Sequence, residues 1–135
     1  MRAYQVTDHD QAAALAASER AIAAMQKVRG VIMPFPGGVV RSGSKVGSKY
    51  KALLASTNHP FCPTLRGAVD SALTPDIGAV LEIVIDGLDV ASIEEATRVG
   101  IRAACRGRGH GLIRISAGNY GGSLGPYHFH LRKIL

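Results

Sequence analysis

"AVLEIVI", residues 79–85, runs seven residues with a single polar side chain, Glu82. Valine, leucine and isoleucine in so short a run read as a strand, since an amphipathic helix repeats its apolar residues over a longer span. Strand geometry sends Val80, Glu82 and Val84 to one face and Leu81, Ile83 and Ile85 to the other. Both faces are apolar apart from Glu82, so this strand is expected at the centre of a sheet.

The flanking segments complete the pattern. "DG" at 86–87 turns the chain, and Ser92 with Glu95 forms a capping box for the helix "SIEEATRVGIRAAC", 92–105. The loop "RGRGHG" leads to the strand "LIRIS", 112–116, and the alternation in "YHFHL", 127–131, predicts a last short strand. Upstream, "MRAYQVT", 1–7, reads as a strand, and Asp8 and Asp10 offer N-caps for the helical segment 11–28. There Leu15, Ile22, Met25 and Val28 recur at helical spacing, with Ser18 filling one step and Gly30 as the stop signal. "VIMPF", 31–35, is the second strand. The order β-α-β, long connection, β-α-β predicts one α+β domain over residues 1–135. Its type is the ferredoxin-like split βαβ sandwich, an antiparallel sheet with two helices on one face. The connection between the second and third strands is long, and structureless loops beyond about 12–15 residues are uncommon unless functional or disordered. It contains "YKALLA" and "FCPTL", which argues against disorder and makes it the expected seat of function.

Composition bounds the function. The 135 residues are 47% hydrophobic, 19% charged and 5% aromatic with no Trp, so the core must be aliphatic. No apolar run approaches the roughly 20 residues of a membrane span, and no signal-peptide pattern opens the chain. Cys62 and Cys105 carry no CxxC spacing, which suits a reduced, cytoplasmic compartment. The net charge of +6 implies an anionic partner, either nucleic acid or a small ligand with carboxylates or phosphates, unless it serves only solubility. The exposed strand aromatics of RNA-binding sheets are missing, so no nucleic-acid role is expected.

Residues 34–50, "PFPGGVVRSGSKVGSKY", put two prolines, four glycines and three cations together. Gly38 to Gly43 has a Walker spacing, but Ser44 precedes Lys45; the inverted order excludes a phosphate loop, and no GxGxxG supports a dinucleotide site. A glycine-bent backbone with Arg41, Lys45 and Lys49 still suits anionic groups on an extended ligand; the alternative is a solvated basic loop. Glu82 has two explanations. Desolvation among aliphatic neighbours favours the neutral acid, a proton carrier or hydrogen-bond donor. Alternatively, Glu82 is a structural ion-pair partner of Arg114 on "LIRIS". His128 and His130 share one side of the expected last strand, and with His59 and Cys62 they make no zinc spacing, so no metal is expected. "ISAGNYGGSLG", 115–125, is a second glycine-dense turn, where Asn119 could meet a ligand.

Taken in order, "PFPGG", "SGSKVGSKY", "ASTN", "CPT", "LEIVIDGL", "RVGI" and "ISAGNYGG" resemble the formylmethanofuran–tetrahydromethanopterin formyltransferase family over essentially the whole chain. The resemblance implies transfer of a formyl group between formylmethanofuran and N5 of tetrahydromethanopterin in one-carbon metabolism. Both coenzymes act as substrates, with no tightly bound cofactor. It implies subunits of two ferredoxin-like lobes, of which this chain matches the C-terminal, distal one, either as a fragment or as a natural half. An N-terminal lobe or companion subunit and a homo-oligomer are the implied partners, beside the anionic coenzymes. Glu82 falls where the family has a strand glutamate acting at the tetrahedral intermediate. Gly37, Gly38, Ser42, Ser44, Lys45, Lys49, Asn58 and Asn119 lie in the matching strings and are the expected substrate-binding residues. A second possibility from another class is a non-catalytic pterin- or polyglutamate-binding module without its partner lobe.

Overall fold

In the computed structural model, residues 2–8, 10–41, 44–106, 112–118 and 127–135 are described. Strand β1 (Arg2–Asp8) leads into helix α1 (Gln11–Met25), then β2 (Val31–Ile32). The long connection holds β3 (Val40–Arg41), the hairpin β4 (Ser44–Val46) and β5 (Ala55–Thr57), and three short 3-10 turns. Then come β6 (Ala79–Gly87), α2 (Val90–Cys105), β7 (Leu112–Ala117) and the short helix α3 (Leu131–Ile134).

β6 is central, as its composition demands. It pairs antiparallel with the whole length of β1, from Arg2 opposite Ile85 to Asp8 opposite Ala79. β7 lies outside β1, while β2 and β3 share the other edge of β6. The result is a mixed α/β fold of one antiparallel sheet with three helices, plus the small β4–β5 sheet. Ile83, Ile85 and Val6 on one face form a core cluster with Ala17, Ala21, Ile22 and Met25 of α1 and Ala96 and Ala104 of α2. Small residues at the contact let the two helices approach the sheet and each other closely. Ser18 and Thr97, both buried, avoid an unsatisfied hydroxyl by donating back to Ala14 O at 2.8 Å and Ile93 O at 2.7 Å.

Four details differ from the sequence expectations. Leu15 is 40% exposed, because the buried face of α1 runs through Ala14, Ala17, Ser18, Ala21, Ile22 and Met25 and leaves Leu15 at its side. The second strand stops after Ile32; Pro34 and Pro36 have no N–H to donate to a ladder. Helix α2 begins before Ser92, capped by Asp89, whose Oδ1 accepts from Ser92 N at 2.7 Å, and Glu95 turns to Arg98 instead of closing a box. Asp89 thereby holds its carboxyl below the ordinary value, chiefly through the Ser92 backbone N–H and then its hydroxyl. Finally, 127–131 is no strand. Phe129 and Ile134 pack on Ile93 of α2, and the helical turn of α3 is tied down by Arg98 Nε donating to Ile134 O at 2.7 Å. His128 and His130 are exposed there.

Candidate active site

Glu82 is only 7% exposed in the middle of β6. Its face of the sheet is covered by the insertion: Phe61, Leu73 and Ile77 pack on Val80, one step along the same face. Arg66 fastens this cover, donating from Nη1 to Pro75 O at 2.9 Å and from Nη2 to the Ile77 carbonyl. Ala72 N donates to Pro60 O at 2.8 Å across the same loop. The face that carries Glu82 is therefore covered at Val80 by residues distant in sequence, on the side away from the helices.

The ion pair with Arg114 weighed from the sequence required neighbouring strands. β1 lies between β6 and β7, and the register sets Arg114 opposite Thr7 and Thr7 opposite Val80, one row away from Glu82. Arg114 is exposed, and its backbone carbonyl accepts from Thr7 Oγ1 at 2.9 Å.

The row through Glu82 reads Ser116, Gln5, Glu82, Val40 across β7, β1, β6 and β3. Four strands spaced by roughly 4.8 Å make it about 14 Å wide. The two glycine-dense segments open at its ends: Gly37 and Gly38 just before β3, and Gly118 just after β7. Gly38 has φ +78, and a Cβ on it would lie 3.0 Å from Ile22 Cγ2, so its form is dictated by packing on α1. Gly37, φ +71, would meet nothing within 4 Å and is open to a ligand.

The remaining expected residues fall on the β4–β5 hairpin. Lys45 pairs in register with Ser56, and Ser44 with Thr57. Lys49 is exposed, its Nζ 5.0 Å from the centroid of the Tyr50 ring. Asn58, 2% exposed, follows β5, and its carbonyl accepts from Phe61 N at 3.1 Å in the turn that carries the cover. Ser42 and Asn119 lie outside the described residues. Among the described residues no group of three His, Cys, Asp or Glu could hold a metal ion, and no helix is long and apolar enough to cross a membrane.

Arg41 departs from its expected company. It stands opposite Leu81, on the helix side of the sheet, while Val40 stands opposite Glu82. Its Nη2 donates to Thr64 Oγ1 at 3.2 Å and to Cys62 Sγ at 3.8 Å, and the two acceptors lie 3.2 Å apart. The Thr64 hydroxyl, aided by backbone N–H groups of Leu65 and Thr64 and by Arg41, lowers the Cys62 thiol from its ordinary value against the opposing effect of burial. Neither Thr64 nor this role of Cys62 was legible from spacing, since the three residues meet only through the return of β3 to β6.

Residues 3–134 match the family model described as "FTR, proximal lobe". The formylmethanofuran–tetrahydromethanopterin formyltransferase of Methylobacillus flagellatus is 62% identical over 133 residues, covering 98% of this chain and 44% of that protein. The protein of the same name from Methanocaldococcus jannaschii is 55% identical over 127 residues, 91% of this chain and 42% of that one. Among solved structures, the formyltransferase/hydrolase complex of Methylorubrum extorquens, in complex with methylofuran, is similar with a TM-score of 0.90 at 48% identity, over 98% of this chain and 44% of that chain. The formyltransferase from Methanosarcina barkeri gives a TM-score of 0.89 at 44% identity, over 98% and 45%. The chain thus spans less than half the length of the curated relatives it matches. The matching model is that of the proximal lobe, which corrects the distal lobe expected from the sequence. With all but the first two residues and the last inside the match, the chain belongs to the formylmethanofuran–tetrahydromethanopterin formyltransferase family.

Proposed function

We propose that the chain is one lobe, C-terminal in its family, of an enzyme that moves a formyl group between formylmethanofuran and N5 of tetrahydromethanopterin. Residues 1–135 form this lobe, of ferredoxin-like type: the interleaved order of β7, β1, β6 and β2, all antiparallel, supports that architecture. The observation that carries the functional proposal is Glu82, buried at the centre of a row that has Gly37 and Gly38 just before one outer strand and Gly118 just after the other. An extended coenzyme lies along Gly37 and the 117–125 turn, with Asn119 beside it. Lys45 and Lys49 meet its carboxylates, and Ser42, Ser44 and Asn58 set its hydrogen bonds. The M. extorquens relative binds methylofuran, which supports a furan coenzyme here. No prosthetic group enters the reaction; the two coenzymes are the substrates. An N-terminal lobe or companion subunit and further copies of the chain complete the site.

In the reaction, the accepting amine attacks the formyl carbon and a new C–N bond forms. The carbonyl oxygen gains negative charge, the old C–N bond breaks, and one proton passes from the accepting to the departing nitrogen. Glu82, holding its proton, donates a hydrogen bond to that oxygen and carries the proton between the two amines. Loss of one such donor costs on the order of 10²–10³ in rate.

The test places this chain in the M. flagellatus relative, replacing the matching region. The chimera is expected to transfer formyl groups, and Glu82→Gln to lower kcat by at least ~100-fold with KM little changed, since Gln keeps the shape but carries no proton. A near-normal kcat would remove Glu82 from the chemistry.

A further inference from the structure

A cleft of about 160 Å³ opens between Gln11 in the first turn of α1, Arg41, Pro63, Thr64 and the start of β6 at Gly78 to Leu81. One water needs only about 10–15 Å³ of such space, so the cleft has room for a polyatomic group. Among the described residues, Arg41 is the only charged one lining it. Its acceptors among the described residues, Thr64 Oγ1 and Cys62 Sγ, are both neutral. Asp10, the nearest acid along α1, turns its carboxylate onto Ala13 N at 2.8 Å.

We propose that this cleft is a second anion site, taking a carboxylate or phosphate group beside the start of β6. The guanidinium is already oriented by the Thr64 hydroxyl and the Cys62 sulfur, so an incoming oxyanion finds a donor that need not be ordered again. Nη1 takes no part in the bonds to Thr64 and Cys62 and can donate to a carboxylate or phosphate oxygen. Gln11 supplies an amide from the other wall. The site does not depend on the formyl-transfer proposal, since it shares neither Glu82 nor the lysines of the hairpin.

Cys62 is a built-in reporter. It is bonded to the same guanidinium, and its thiol is lowered from the ordinary value, which favours alkylation. The experiment follows iodoacetamide labelling of Cys62 by peptide mass spectrometry, with Cys105 as the internal reference, at constant ionic strength. One arm adds inorganic phosphate and the other γ-glutamylglutamate, each at about ten millimolar. Either anion bound at Arg41 is expected to slow Cys62 at least threefold relative to Cys105. Protection by the dipeptide alone assigns the site to a carboxylate-bearing tail, and protection by phosphate alone to a free oxyanion. Arg41→Gln should abolish the protection, while Arg41→Lys, which keeps the charge without the fork, should retain part of it. Unchanged labelling in both arms, or protection that persists in Arg41→Gln, would overturn the proposal. Neither result bears on the kinetics of Glu82→Gln, so the two proposals fail separately.

Discussion

Replacing Gly38 by alanine separates a glycine held by packing from one free for a ligand. Its φ of +78 already disfavours any side chain, and that conformation costs an L-residue roughly 1–2 kcal/mol. The new methyl group would also stand 3.0–3.1 Å from Cγ2, Cγ1 and Cδ1 of Ile22. Ile22 is only 5% exposed and lies in the main core cluster, so it cannot swing clear without opening that core. Overpacking of this kind costs a further ~1–3 kcal/mol, for a total of about 2–5 kcal/mol. At this chain length each kcal/mol lowers Tm by roughly 3–5 °C. The control is Gly37→Ala: the same backbone strain at φ +71 but nothing within 4 Å, so only the first ~1–2 kcal/mol is expected. Denaturant unfolding of both variants gives the difference directly. Ile22→Ala combined with Gly38→Ala should lose less than the two changes added, a coupling of about 1–3 kcal/mol. If Gly38→Ala is no less stable than Gly37→Ala, the packing explanation of Gly38 is wrong.

Phe129→Ala should destabilise by about 3 kcal/mol, because a 6%-exposed ring packed with Ile93 and Ile134 leaves a cavity; urea unfolding measures it. Asp89 has a folded pKa below its unfolded value, so its contribution is present above the ordinary carboxyl range and is lost as pH falls through the lower folded value. Melting curves between pH 2 and 6 should therefore lose part of their acid dependence in Asp89→Asn, which keeps the cap but not the titration; an identical pH profile would count against it.

How much of this molecule is legible in its sequence depends on the range of the interaction. Period-two alternation is a property of a single strand, so "AVLEIVI" announces a central strand and places Glu82 on the face opposite Ile83 and Ile85 without any partner. Caps are equally local, and Asp10 does accept from Ala13 N. At the second helix two capping patterns compete within a few residues. Asp89 prevails over the Ser92–Glu95 box because both of its oxygens find Ser92, and no propensity rule ranks them. The exposed Leu15 has a similar cause: side-chain size suggested the buried face, but the close approach of α1 and α2 requires alanine there.

By itself the sequence determined the order of the main strands and the two long helices, the buried carboxylate, the basic glycine-rich insertion and the family to which they point. Only the tertiary structure decided what surrounds them. Strand order inserts β1 between β6 and β7 and so parts Arg114 from Glu82, a separation no linear spacing encodes. The same register sends Val40 and Arg41, adjacent in sequence, to opposite faces of one sheet. It also lays Phe61, Leu73 and Ile77 over the face of Glu82. Each of these is a long-range pairing, chosen by which apolar faces can be covered together, and a residue's immediate neighbours do not carry that information.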